Sequence, residues 1–218
     1  MSSLQPVRAE SLSAQVAESI REAIFSGELK PGQVLRELGL AKNMNVSQAT
    51  VREALSHLEH YGLVVRTPNR STSVTSLSQE EIQNRTGVWL TLETNIWERT
   101  TEASQELLMD LSSIVSGMES DGIENSARRF HSRMWESSGN LVLVRILDQL
   151  TTPLFAFCHV DGERTAQCIA RYRRMLDGLR SSAPSASVQA LREQIGMIQE
   201  YASAAVPEAE GREATAGV

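Results

Sequence analysis

Cys158, His159 and Cys168 are the residues whose types most directly suggest metal chemistry, because thiolates and imidazoles are the common zinc ligands. Their spacing matches no established zinc pattern, and the residues around the cysteines are largely apolar, so they read as buried free thiols. Elsewhere the chain offers no nucleophile–base pair, no glycine-rich phosphate loop and no metal constellation. Catalysis is therefore not expected, and no cofactor is called for. What remains is binding chemistry, and charge says where to look for it. The chain carries a net −6, but its first 75 residues hold eight Lys/Arg against seven Asp/Glu while the rest carries −7. A surface for a polyanion belongs to the first third.

With 218 residues, 41% of them hydrophobic, the chain is long enough for one large domain or two small ones with real cores. No run approaches the roughly eighteen apolar residues that span a bilayer, so no membrane partner is expected. Two cysteines without a framework, and no apolar leader ahead of Ser11, point to a reducing cytoplasm.

The positioning elements follow from hydrophobic period. Val16, Ile20, Ala23 and Ile24 share one face of a first helix that Gly27 and Pro31-Gly32 stop. A shorter helical segment, LRELGLAKNM, is expected to turn Leu35, Leu38 and Leu40 inward. Ser47 caps a third helix in which Val51, Leu55 and Leu58 recur, and Gly62 ends it. The period then changes. Leu63-Val64-Val65 and Ser73-Val74-Thr75 are short β-prone runs joined by the turn residues PNRS, a β-wing. Beyond Ser78 six helical patterns follow, near 79–103, 105–120, 123–137, 141–160, 163–181 and 185–205. The fold is thus expected to be mostly α: a winged helix-turn-helix over 8–77, an all-α antiparallel helical bundle over 78–205, and a disordered tail over 206–218. In such a winged domain the third helix can enter the major groove while the wing touches backbone or minor groove.

The stretches GELKPGQVL, VSQATVREALSHLEHYGLV and RTPNR occur in this order within about sixty residues. They resemble the N-terminal domain of the GntR family of transcription regulators. The resemblance implies a sequence-specific DNA-binding regulator that meets a double-stranded operator as a homodimer. It makes Arg52 a DNA-contacting arginine and Ser47 a hydroxyl that meets phosphate at the helix N-terminus. Gln48, Ala49 and Thr50 share that helix start, and Arg36, Arg66, Arg70 and Ser71 are further candidate DNA contacts around the second helix and the wing. Three positions depart from the family pattern: Gln48 stands for an arginine, Leu38 for an arginine, and Ser71 for a glycine. A glutamine suits adenine N6 and N7, where an arginine suits guanine. Arg52 has a second reading, as a helical charge paired with Glu53 or another carboxylate. His57 and His60, past the base-reading part of the helix, are expected to face solvent or the domain junction.

The motif FHSRMWESSGN resembles the signature of the FCD ligand-binding domain of the FadR subfamily, and six helices fit its shorter VanR-type group. The resemblance implies a repressor whose operator binding responds to a small metabolite, often an organic acid. The alternative is a helical domain that only dimerises or meets a protein partner. Many such domains bind a divalent metal through an Asp four residues before the FH histidine and two later histidines. Here only His131 matches; the other positions read Ala127, Tyr172 and Gln194. No metal is expected, and His131, Tyr172, Gln194 and Trp89, at a position where the family often has arginine, are the candidate ligand-binding residues. Trp97 and Trp135 read as core or dimer residues.

Overall fold

The computed structural model describes residues 11–67, 71–100, 102–158 and 162–205. The first helix, α1 (Leu12–Phe25), begins where Ser11 Oγ accepts the Ala14 N–H, and it buries Val16, Ile20 and Ile24 along one stripe. Then come β1 (Val34–Leu35), α2 (Glu37–Met44), α3 (Gln48–His60), β2 (Val64–Arg66) and β3 (Thr72–Val74). Asn45, in the left-handed region at φ 53°, ends α2, and the Val46 N–H returns to the Ala41 carbonyl. Two residues later Ser47 caps α3, its Oγ accepting from Thr50 N–H at 3.1 Å. This tight reversal sets α2 and α3 as a helix-turn-helix. Residues 8–10 and 68–70, which include Arg70, fall outside the described residues, as does 206–218.

The small sheet has the order β1-β3-β2, antiparallel throughout, with Val34 opposite Ser73 and Val64 opposite Val74. Here the sequence reading is corrected. Leu35 is buried on a strand, not on a helix, and Leu38 is 72% exposed on the outer side of α2. A strand of two residues shows no alternation to read. Once Arg36 becomes the residue that starts α2, Leu38 falls on its solvent side; Ala41 is the buried residue of that helix.

The bundle comprises α4 (Gln79–Arg99), α5 (Gln105–Asp121), α6 (Ile123–Glu136), α7 (Leu141–Ala156), α8 (Gly162–Arg180) and α9 (Pro184–Ala204). The six helices expected from periodicity are present, with ends within about four residues. A full capping box opens α4: Ser78 Oγ takes the Glu81 N–H, and the Glu81 carboxylate takes the Ser78 N–H.

Two apolar cores form, one per domain, and α7 touches both. Phe155 packs in the bundle core, whereas Ala156 and Phe157 join Val51, Leu55 and Leu58 in the N-terminal core. Pro153, inside α7, has no N–H to offer the Gln149 carbonyl. Gly62, just past α3, docks there: a Cβ on it would lie 3.3 Å from Pro153 Cγ and 3.8 Å from the Gln149 oxygen. Its φ of +69° makes glycine doubly required. Gln149 Nε2 also reaches His60 Nε2 at 3.1 Å, which places His60 at the domain junction. The end of the third helix therefore rests on the same helix that lines the middle of the bundle.

Candidate functional site

The outer face of α3 is built by its own apolar stripe. Val51, Ala54, Leu55 and Leu58 are buried, which turns Gln48, Ala49, Arg52, Glu53, Ser56 and His57 outward together. Ser47 Oγ lies 2.8 Å from Thr50 Oγ1 as well as accepting the Thr50 N–H, so both hydroxyls are engaged at the helix start. Gln48 and Arg52, one turn apart, converge on a single carboxylate of α2. Arg52 Nη2 lies 2.9 Å from Glu37 Oε2, and Gln48 Nε2 donates to the same oxygen at 3.3 Å. The partner of Arg52 is thus Glu37, not Glu53. The Arg52 hydrogen bond holds the Glu37 carboxyl below its ordinary range and raises the guanidinium. Arg52 remains 58% exposed at its side chain, so the pair fixes direction without hiding the cation.

Arg66 lies differently. Its Nη2 donates to the Arg52 carbonyl at 2.7 Å, and its Nε lies 3.5 Å from Glu59 Oε2, which braces the wing against α3. Arg36 is exposed at the start of α2 and lines, with Glu37, Arg66, Thr67, Ser71 and Thr72, a crevice between α2 and the wing. Ser71 is exposed, and its carbonyl accepts the Thr67 N–H across the wing turn at 3.2 Å. Candidate contacts from helix start, helix flank and wing thus face one side.

The middle of the bundle is organised around a residue the sequence reading missed. Glu93, fully buried, receives two donors on each oxygen. Oε1 takes Trp97 Nε1 at 3.0 Å and His131 Nδ1 at 2.7 Å; Oε2 takes Trp135 Nε1 at 2.8 Å and the Trp89 indole N–H. All three tryptophans of the chain converge on this carboxylate. A carboxylate only accepts, so the proton lies on His131 Nδ1, and His131 Nε2 meets the Tyr172 hydroxyl at 3.2 Å. Burial pushes the Glu93 carboxyl up. The His131 charge and hydrogen bond, with the indoles, outweigh that and leave it below the ordinary value of 4.5. Burial pushes the Tyr172 phenol well above its ordinary value, so it stays protonated.

Gln194, 1% exposed, donates to Cys168 Sγ at 3.3 Å. Phe155 closes the group, its ring centroid 5.2 Å from Trp89 and 5.8 Å from His131. Trp89, His131 and Tyr172 are therefore brought together, with Gln194 next along the same buried chain. The signal for Glu93 lay in WLTLETNIW. An acid four residues after one tryptophan and four before another sits on a buried helical face and needs partners there.

Two family models cover this architecture in order: that of the bacterial regulatory proteins, gntR family, over residues 12–74, and that of the FCD domain over residues 88–196. The chain belongs to the GntR family. It is a DNA-binding transcriptional regulator with an FCD domain. Among similar proteins, the HTH-type transcriptional regulator YdhC of Bacillus subtilis is 28% identical over 188 residues, 80% of this chain and 84% of that one. The gluconate operon transcriptional repressor of Bacillus licheniformis is 35% identical over 109 residues, 50% of this chain and 44% of that one. Among solved structures, E. coli McbR/YncC superposes with a TM-score of 0.71 at 21% identity, over 88% of this chain and all of that chain. A GntR regulator from Rhodococcus sp. RHA1 superposes with a TM-score of 0.74 at 19% identity, over 89% of this chain and 99% of that one. Both share the fold.

The residues of this GntR-family regulator do not fit the divalent metal that many FCD domains hold. Ala127 has no donor atom, both nitrogens of His131 are committed, Tyr172 is held as a phenol, and Gln194 offers a neutral amide. Among the described residues no group of three or more His, Cys, Asp or Glu is arranged to hold a metal. Cys158 and Cys168 are free and buried, and burial raises both thiols, Cys168 to about 11. His159 lies outside the described residues. No helix among them is long and apolar enough to cross a membrane.

Proposed function

We propose that this regulator is a cytoplasmic, non-enzymatic repressor that reads a pseudo-palindromic operator as a homodimer, through a domain over 8–77 carried by a helical domain over 78–205. The observation that carries the reading is the outward face of α3, where Gln48 and Arg52 stand one turn apart above a shared acceptor. Ser47, Thr50, Arg36 and Ser71 flank them as phosphate-contacting groups, together with Arg70 of the wing. Selection of sites from random DNA tests it. Wild-type protein should recover two related half-sites, and Gln48→Arg should change one base of each toward guanine. An unchanged preference would show that Gln48 reads no base.

Dimerisation is assigned to α7 and its neighbour α4. Leu141, Val142 and Ile146 are 75%, 56% and 47% exposed, an unusual apolar row for a solvated helix. Arg85 donates to the Leu150 carbonyl, while Ile96 and Leu143 line one crevice, so the two helices run antiparallel and Val88 falls level with Ile146. Burying this face against its own copy is the symmetric solution. Val142→Glu combined with Ile146→Glu should yield monomers in sedimentation and weaken operator binding by more than about tenfold, since each half-site then binds alone. A wild-type monomer, both free and on DNA, would overturn the assignment.

The centre around Trp89, His131, Tyr172 and Gln194 was the expected place for a small organic acid. These side chains are at most 1% exposed. An effector held there would therefore be enclosed within the bundle.

A further inference from the structure

We infer that Glu93 is the built-in ligand of the helical domain: three indoles and an imidazole form a carboxylate receptor, and the chain fills it with its own carboxylate. The inference rests on the geometry at Glu93 and is independent of how the operator is read.

The geometry is that of a receptor and not of an ordinary buried ion pair. A bare carboxylate offers about four acceptor directions, and here two donors address each oxygen. The donors come from two helices: Trp89 and Trp97 from α4, His131 and Trp135 from α6. Indole N–H groups are donors only, so they have no alternative role toward a cation. Trp135 and His131, four residues apart on α6, would lose their shared acceptor if the side chain of Glu93 were removed. So would Trp89 and Trp97, each four residues from it on α4. Other rings also hold the donors: Phe155 packs on Trp89 and His131, Phe130 stacks on Trp97 at 6.3 Å, and Trp135 lies against the His131 ring. A receptor whose walls are supported by other side chains keeps its shape when its ligand is cut away.

The consequence is chemical rescue. Glu93→Ala removes a CH2–COO⁻ unit and leaves space and donors matched to acetate. In the wild type the same donors are already satisfied, so added carboxylate has nothing to bind. The full chain is unfolded thermally, with tryptophan emission as the signal, in acetate or in chloride of matched ionic strength. Every tryptophan of the chain donates to Glu93, so emission reports on this site and no other.

Glu93→Ala is expected to unfold more than about 10 °C below wild type in chloride, and to regain part of the difference as the logarithm of acetate concentration rises. Wild-type protein should show no acetate-specific shift in midpoint or emission, and calorimetry with zinc, nickel or manganese should show no stoichiometric site. A folded Glu93→Ala that ignores acetate would overturn the inference. So would a wild-type protein whose emission and midpoint respond to acetate, which would mean that an external acid displaces Glu93. If the variant does not fold, a wild-type response to acetate still overturns the inference. Loss of operator selection by Gln48 or Arg52 variants would leave this inference untouched, and its failure would leave the operator reading untouched.

Discussion

Arg52→Ala is expected to lower operator affinity by at least about 100-fold, since a good base contact is worth about tenfold or more and a homodimer loses it twice. The substitution does more than remove a cation. Glu37, relieved of Arg52, would present a free carboxylate beside Gln48 at the surface proposed to meet DNA phosphates. Adding Glu37→Gln to Arg52→Ala separates the two effects: the affinity it restores is the part that came from the freed charge. Titration of specific and random duplexes at several salt concentrations checks the role. Loss on the operator alone marks a base contact, whereas equal loss on both duplexes marks a phosphate contact and would overturn base reading by Arg52.

The second large effect is on stability. His131→Ala leaves Glu93 buried without the imidazole that donates to it, and breaking such a buried pair costs about 3–5 kcal/mol. The pH dependence has a definite sign. In the wild type the folded Glu93 carboxyl lies below its ordinary value, so its contribution is present above 4.5 and is lost as pH falls through the folded value. In the variant that partner is gone while the three indoles remain, so burial is opposed more weakly and the carboxyl moves up. The stability that ionised Glu93 contributes above 4.5 in the wild type is therefore smaller in the variant. The gap between the proteins should therefore widen from mildly acidic to neutral buffer. Urea unfolding followed at the tryptophans measures it. A gap that is small at neutrality, or that narrows as pH rises, would show that Glu93 does not depend on His131.

One helix, α7, packs in both cores. Phe155 contacts the rings of Trp89 and His131, while the next two residues, Ala156 and Phe157, enter the core behind α3. Gly62 and His60 at the end of α3 rest on Pro153 and Gln149 of the same helix.

The sequence by itself determined the helices, the wing and the order of the two domains. These follow from local signals: the period of Val51, Leu55 and Leu58, the caps at Ser47 and Ser78, and the change from period 3.6 to short β runs after Gly62. It also placed the outward face of α3, because the outward side of an amphipathic helix is fixed once its inward side is known. The family resemblance brought Trp89, His131, Tyr172 and Gln194 to one region. Only tertiary structure decided what these groups touch. That Arg52 and Gln48 share Glu37, from another helix, follows from the angle between α2 and α3, which no spacing encodes. The strand at Val34–Leu35 exists because β3 pairs with it; its two residues carry no period of their own. Glu93 looked like one of many surface acids until α4 and α6 packed. A buried charge is tolerable only when distant donors converge on it, and convergence is a property of three dimensions.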